Sequence, residues 1–237
     1  NGVPGLVLRV VASIVLAFVI LGKLMEVTGA TRFFTDLALG WMGHRQGGPA
    51  KVAVVASSAF GMVSGSTVGN IMSTGIVTIP LMKRTGFKPH YAAAIEAVAS
   101  TGGQLMPPLM GASAFVMAEF LEVPYADVVL AALIPAFLYY LSLFVVTDLE
   151  AAKIGIARIA PDKLPNAWRV LRAGWFFPLP FGVLIYGLFG ANLRPEEAAL
   201  YAVLTLLICA FVFGYDGKRA GPMLVLKALV ETGRSCI

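Results

Sequence analysis

The chain has 237 residues, 58% hydrophobic and only 13% charged. Soluble domains carry about a quarter charged residues, so this composition excludes a water-soluble globular protein and indicates an integral membrane protein. The net charge of +5 does not argue for nucleic acid, because the basic residues fall in short loops between apolar stretches, the pattern that orients membrane proteins.

Apolar stretches of about 20 residues recur, as helical spans require, and the period-2 alternation of an outer-membrane barrel is missing. The predicted fold class is all-α: a polytopic membrane protein with about five transmembrane crossings, one re-entrant helical hairpin and one discontinuous helix. The first span covers residues 4–22, ending at Lys23 and Glu26; it is too long and too poorly flanked to be a secretory signal. The segment "TGATRFFTDLALGW" (28–41) is amphipathic, with Phe33, Phe34, Leu37 and Trp41 sharing a face and Arg32 and Asp36 spaced to pair. It is predicted to lie along the membrane interface. Residues 50–60 and 71–82 are apolar runs, each too short to cross comfortably, separated by "SGSTVGN" (64–70). The basic "KRTGFKPH" (83–90) follows. Residues 91–121 read as a long helix broken by "STGGQLMPP" (100–108), and 126–146 as a clean span. A polar loop (148–172), two further spans (175–189 and 198–213) and a last element from Pro222 complete the chain. It begins with Asn1 and stops at Ile237 inside that element, so a fragment of a longer protein is expected. Three parts are predicted: 1–49 with the first span and interfacial helix, 50–147 with hairpin, broken helix and following span, and 148–237 with a loop and linking spans.

Charges in the loops test the hairpin. If 50–82 dips into the membrane and returns, the basic segments 44–51 and 83–90 share one side, as cytoplasmic loops do. The next turn carries Glu119, Glu122 and Asp127. The loop after it has Lys153, Arg158, Lys163, Arg169 and Arg172 against Asp148, Glu150 and Asp162. Arg194, Glu196 and Glu197 then fall on the far side, and Asp216, Lys218 and Arg219 on the near one. The alternation holds only for a re-entrant hairpin entering from the cytoplasmic side.

Irregular backbone survives at membrane depth only where protein buries it or water reaches it. A hairpin tip at 64–67 places the C-terminal end of one half-helix beside the N-terminal end of the next. Free carbonyls at the first suit a hard cation such as Na⁺, and free N–H groups at the second suit a carboxylate. Ser64, Ser66 and Thr67 add hydroxyls, Asn70 an amide, and Gly65 and Gly69 permit close approach. At the second break Gly102 and Gly103 unwind the helix, Gln104 offers an amide, and Pro107 and Pro108 suit the first turn of a new half-helix. Two broken helices meeting near the midplane are the recurring architecture of transporter sites. Two structural readings stand beside this: Gly61, Gly65 and Gly69 follow small-xxx-small spacing, which suits one continuous close-packed helix, and the Gly-Gly and Pro-Pro pairs suit a mere kink.

The ordered series "SSAFGMVSGSTVGNIMSTGIVTIPLMKRTGF", "YAAAIEAVASTGGQLMPPLMGASAFVMAEF" and "FLYYLSLFVVTDLEAAKIGI", preceded by "FVILGKLMEVTGA", resembles the large membrane subunit of tripartite ATP-independent periplasmic (TRAP) transporters, most closely the fused permeases of the TAXI-type group. The resemblance covers residues 6–234. It implies ion-coupled uptake of a small organic anion, usually a carboxylate, across the inner membrane, received from a periplasmic binding protein. It further implies an elevator-like movement of a transport domain, half of it within 50–147, against scaffold helices that are fused or on a separate small subunit. By position, its Na⁺ ligands map to Ser64, Gly65, Ser66, Asn70, Thr101, Gly102, Gly103 and Pro107. Ser66, Thr67 and Gln104 are the expected substrate contacts. The family's second, inverted copy of hairpin and broken helix is not found, so the chain is expected to hold about half a site. No cofactor is expected beyond the coupling ion.

Among charged residues, Glu96 lies two turns into an apolar helix, where carboxylates are costly and often functional; proton coupling or ordering of the ion site stands beside a structural hydrogen bond to a neighbouring helix. Lys23 either attracts an anion or snorkels from a helix end. His44 and His90 are expected to be solvated, and Met106, Met110 and Met117 to pack. Cys209 and Cys236 form no metal spacing or disulfide framework. A membrane-embedded serine hydrolase at Ser64 or Ser66 would need a base at similar depth; both histidines lie in loops, and "GMVSG" is not the GxSxG elbow. A non-transporting structural subunit would explain the spans but not paired breaks rich in hydroxyls and glycine.

Overall fold

The computed structural model describes residues 5, 11–156, 159, 164–215 and 221–235. The start of the first span, Arg158, Asp162, Lys163, Asp216, Lys218, Arg219 and Cys236 lie outside these. The described elements are all helical.

A π-helical turn, Val11–Val15, leads into α1 (Leu16–Val27). The chain then bends by 64° into α2 (Ala30–Met42). Gly29 makes the bend at φ 101°, a left-handed conformation open to glycine without steric penalty. The expected interfacial helix is therefore a separate helix set off from the first span, and Arg32 Nε lies 3.8 Å from Asp36 Oδ2 as its spacing predicts. Its aromatic face does not hold together. Phe33 is 1% exposed, packed on Phe177 and Tyr215, whereas Trp41 is 53% exposed. Eight residues along a helix rotate a side chain by about 80°, enough to carry Trp41 off the buried stripe.

Residues 50–82 are not one rod. Helix α3 (Gly48–Ser64) ends, Gly65 and Ser66 turn the chain, and α4 (Thr67–Arg84) returns beside it. Their antiparallel pairing is fixed by the Asn70 Nδ2–H bond to Ser57 O at 2.8 Å and by Ser57 Oγ and Thr74 Oγ1 at 3.1 Å. The long helix expected next is also broken: α5 (Pro89–Gly102) gives way to irregular chain over 103–111 before α6 (Ala112–Phe120). Pro107 and Pro108 lie in this connection rather than in the first turn of α6. Met110, at φ 57°, and the extended Gly111 turn the chain after them, so α6 starts from Gly111 as its N-cap.

Helix α7 (Tyr125–Ile154) runs well past the expected span end at Val146 and stops at Gly155. Its polar extension stays helical because Ala151 packs with Ala50, Ala53 and Val54, and because Asp148 Oδ1 meets Lys51 Nζ at 2.5 Å. Short α8 (Ala167–Ala173) bends by 66° toward α9 (Pro178–Ile185), which ends in a π-helical turn, Tyr186–Gly190. Then follow α10 (Pro195–Val212) and α11 (Pro222–Ser235). Among the described residues α7 and α10 are each long and apolar enough to cross a membrane, and the two bent pairs, spanning 12–42 and 167–190, qualify only as pairs.

Three hydrophobic clusters organise the packing among the described residues. The first joins α1, α2, the second break, α6, the start of α7, and α8 to α11; the second joins both hairpin arms, α5 and the far half of α7; a small third joins α2 to both hairpin arms. Val63, at the tip of α3, belongs to the first cluster although most of its helix does not. The hairpin tip thus sits where the clusters meet.

Lys51 is 6% exposed and also lies 5.3 Å from the Phe144 ring centroid, whereas the Asp148 side chain is 49% exposed. Removing Asp148 leaves a buried ammonium with only the ring face. We expect Asp148→Ala to destabilise the protein by about 1–3 kcal/mol, below the full penalty of a completely buried pair. Denaturant titration of the purified protein in detergent checks this, and Lys51→Met with Asp148→Ala should recover part of the loss.

Candidate functional site

The hairpin tip is built by two capping events. Gly65 adopts φ 56°, and its N–H returns to Gly61 O at 3.1 Å, the single-bond left-handed end of a helix. Ser66 is extended and caps α4, its Oγ accepting from Gly69 N–H at 3.2 Å. The last carbonyls of α3 and the first N–H groups of α4 are left without helical partners side by side. Opposite partial charges therefore converge within one turn.

Glycines let this tip dock backbone to backbone. A Cβ on Gly22 would lie 2.9 Å from Val63 O; one on Gly61 would overlap Gly103 Cα, and one on Gly65 would overlap Met110 O. In lipid the hydrophobic effect does not drive helices together, so close contact of small residues carries the association. Gly61 and Gly65 are close-packing positions as their spacing suggests, but the helix ends at Gly65 and a new one starts after Ser66, so the reading as one continuous helix does not hold.

Two cavities flank the tip. One of about 250 Å³ lies between the two breaks, lined by Ser64, Gly65 and Ser66 from the hairpin, by Gln104, Leu109 and Met110 from the second break, and by apolar groups including Phe18 and Phe115. The other, about 400 Å³, lies between the tip and α1, where Lys23 and Glu26 face Ser64, Ser66 and Gly69. Lys23 is not free there: its Nζ meets Glu26 Oε2 at 2.9 Å, while Glu26 Oε1 accepts from Ser73 Oγ at 3.0 Å.

The second break is held by tyrosines of α7. Tyr140 donates to Ala99 O (2.9 Å) and Tyr139 to Val98 O (2.7 Å), while Tyr125 reaches Pro108 O and Leu109 O, both at 2.8 Å. Ala99 O needs such a donor because Gly103 N–H, its α-helical partner, bonds Ser100 O instead. Phe115 stacks on Tyr125 with ring centroids 4.3 Å apart. We expect Tyr125→Phe, which strips two buried carbonyls of their donor, to destabilise by about 1–3 kcal/mol, read as a lower denaturation midpoint. Tyr186→Phe, on a side chain 71% exposed, should leave the midpoint unchanged.

Below the tip lies a closed polar box. Glu96 is fully buried, and Oε1 accepts from Ser57 Oγ (2.9 Å), Thr74 Oγ1 (2.5 Å) and Ser100 Oγ (3.2 Å), Oε2 from Thr78 Oγ1 (2.5 Å). Ser57 comes from α3, Thr74 and Thr78 from α4, and Ser100 from α5, so one carboxyl ties both hairpin arms to the broken helix. Asn70 borders the box: besides its bond to Ser57 O, its Oδ1 and O lie 3.2 and 2.8 Å from Thr74 Oγ1.

The structure thus brings Ser64, Gly65, Ser66 and Gln104 to one cavity. Thr67 starts α4 beside them. Asn70 is fully buried, with its carboxamide turned to the box and its Nδ2 about 3.2 Å from where a Cβ on Gly103 would sit. Gly102 packs under Tyr139 and Tyr140. The carbonyls of Thr101, Gly102 and Gly103 each accept one N–H from the next turn, which leaves each a second lone pair. Thr101 is exposed with its hydroxyl bonded to Ala97 O, and Pro107 is buried in the connection. His44 and His90 are exposed, and Cys209 is buried in α10. Among the described residues no three His, Cys, Asp or Glu side chains gather as a metal site. Sequence reasoning did not single out Ser57, Thr74, Thr78, Ser100 or the three tyrosines. The i, i+4 spacing of Thr74 with Thr78, and of Glu96 with Ser100, was the available signal.

These features define an all-helical, polytopic membrane protein with a helical hairpin docked on a discontinuous helix. Residues 6–237 match the model of the tripartite ATP-independent periplasmic transporter DctM component, and the chain belongs to that family. It is 29% identical to the C4-dicarboxylate TRAP transporter large permease of Pseudomonas aeruginosa, covering 93% of this chain and 50% of that protein. It is 25% identical to the 2,3-diketo-L-gulonate TRAP transporter large permease of Escherichia coli (82% and 45% covered) and to the sialic acid TRAP transporter large permease of Vibrio cholerae (91% and 50%). The chain spans about half the length of these curated relatives.

Proposed function

We propose that this chain forms part of a secondary active transporter that carries a small organic anion, most simply a carboxylate, across the inner membrane at the expense of an ion gradient. The observation that carries this reading is the 250 Å³ cavity in which Ser64, Gly65 and Ser66 of the hairpin face Gln104 of the second break. The hydroxyls and free carbonyls at the end of α3, with the second lone pairs of residues 101–103, supply oxygen ligands for Na⁺. The N-terminal turn of α4 and Gln104 supply donors for the substrate carboxylate. The names of the relatives, permeases for C4-dicarboxylates, diketogulonate and sialic acid, support an organic acid received from a periplasmic binding protein, with a small subunit or its fused equivalent as partner. Lys51 near the start of α3 and Lys83 and Arg84 at the end of α4 lie at the same end of the hairpin, which supports a re-entrant hairpin with cytoplasmic roots.

The test is uptake by the full-length protein in proteoliposomes, with its binding protein and labelled succinate, sialic acid and diketogulonate as probes, under an imposed Na⁺ or H⁺ gradient. Gln104→Ala, on an exposed side chain outside any helix, should lower gradient-driven uptake at least tenfold, a loss of about 1.4 kcal/mol, with the melting temperature unchanged. Ser66→Ala should do the same with a further capping loss of about 1 kcal/mol. Undiminished uptake by both variants would favour a scaffold role for this half of the protein.

A further inference from the structure

We propose that Glu96 is a reversible proton-binding site built into the junction of α3, α4 and α5, so that protons move with the substrate in addition to any ion held at the hairpin tip. This rests on the transport reading above and assigns the box a cargo. Three observations carry it.

The first is space. Glu96, Ser57, Thr74, Thr78 and Ser100 are all fully buried, and none lines a cavity described above. Oxygen–oxygen distances of 2.5–3.2 Å fill the box. It has room for a proton between two oxygens and for no larger cation.

The second is charge. No Lys, Arg or His pairs with Glu96 among the described residues. The elements packed around it offer hydroxyls: Ser57 from α3, Thr74 and Thr78 from α4, Ser100 on its own helix. From α7 the titratable neighbour is Tyr140, whose hydroxyl is committed to Ala99 O, with Tyr139 beside it. A buried carboxylate without a countercharge has only hydrogen bonds to hold it, and a proton removes its charge outright.

The third is that the hydroxyls can turn. Each is both donor and acceptor. Thr78 Oγ1 lies 3.1 Å from Thr74 O, and Thr74 Oγ1 lies 2.8 Å from Asn70 O. With Glu96 ionised, the four hydroxyls donate to it. When a proton binds at Oε2, the new O–H donates to Thr78 Oγ1, and Thr78 swings its own hydrogen to Thr74 O, while Ser57, Thr74 and Ser100 go on donating to Oε1. One proton is taken up, no covalent bond other than O–H forms, and release reverses the steps. The proton is thereby linked to the contact between Thr78 of α4 and Glu96 of α5, which holds one hairpin arm to the broken helix beneath the tip.

Infrared difference spectra of the full-length protein test this without knowledge of the substrate. Acidification should raise a carboxylic-acid C=O stretching band that alkalisation removes, and Glu96→Gln should abolish it. A purely structural carboxyl would stay in one state across the pH range in which the protein remains folded. Should Glu96→Gln fold poorly, Ser100→Ala serves: it removes one hydrogen bond to Oε1, the carbonyl oxygen of the acid, and should move the band to higher wavenumber. In proteoliposomes, uptake of labelled succinate, sialic acid or diketogulonate driven by a pH gradient should be lost in Glu96→Gln. A band that survives Glu96→Gln, a band whose frequency Ser100→Ala leaves unmoved, or pH-gradient-driven uptake that Glu96→Gln leaves intact would overturn the proposal. Absence of any uptake by the unmodified protein, with the band present, would instead count against the transport reading alone.

Discussion

Gly65→Val should be the most damaging single change at the hairpin tip, abolishing uptake and lowering stability by about 3–5 kcal/mol. Two independent penalties add. At φ 56° the residue is left-handed, which costs an L-amino acid about 1–2 kcal/mol, more when the side chain is β-branched. The first side-chain carbon would also fall on Met110 O, a main-chain atom that cannot rotate away, and overpacking of this kind costs about 1–3 kcal/mol. The chain could relieve both by withdrawing the tip from the second break, which opens the cavity shared by Ser66 and Gln104. Gly69→Ala is the matched control. Its Cβ would meet only Ser66 at 3.4–3.5 Å in a helical turn, and alanine is favoured there by about 1 kcal/mol. Denaturant titration in detergent separates the two variants. A Gly65→Val protein as stable as the unmodified one would show that the tip is not docked on Met110.

The same contact explains how far the sequence could be read. Both breaks were legible, because Ser, Gly and Asn between apolar runs, and Gly-Gly followed by Pro-Pro, cannot continue a helix through lipid without exposing backbone. That they meet was an expectation of architecture; the particular meeting points, Gly61 on Gly103 and Gly65 on Met110, join residues some forty positions apart and leave no local trace. Helix ends were misjudged where tertiary partners set them. Asp148 reads as loop until Lys51 is known to face it, and Pro107 and Pro108 read as a helix start until Met110 is seen turning the chain after them. Tyr125, Tyr139 and Tyr140 look like ordinary residues of an apolar span. Their hydroxyls become meaningful only once the carbonyls of 98–99 and 108–109 lie opposite. Glu96 was conspicuous by charge alone, while its four partners are hydroxyl residues of the kind that commonly bond their own helix in membranes.

Glu96→Leu should lower stability by about 3–5 kcal/mol while Glu96→Gln lowers it by less than about 2 kcal/mol, a difference read as two denaturation midpoints. Leucine, somewhat bulkier and branched, accepts no hydrogen bond, so four buried hydroxyls lose their common acceptor. The loss is smaller than four separate charged bonds at about 1.5–3 kcal/mol each, because three of the hydroxyls have somewhere to turn: Thr78 to Thr74 O, Thr74 to Asn70 O, and Ser57 to Thr74 Oγ1. Ser100 has no such second partner in the box. It follows that Ser100→Ala should restore part of the stability lost in Glu96→Leu, by removing the hydroxyl left stranded, whereas Thr78→Val should restore little. Glutamine keeps one acceptor oxygen for Ser57, Thr74 and Ser100 and turns its amide toward Thr78, which can accept. A double-mutant cycle between Glu96→Gln and Thr78→Val should then give a coupling of about 0.5–3 kcal/mol. A coupling near zero would mean that α4 is held to α5 by shape alone, and that the carboxyl is not the strut on which the hairpin stands.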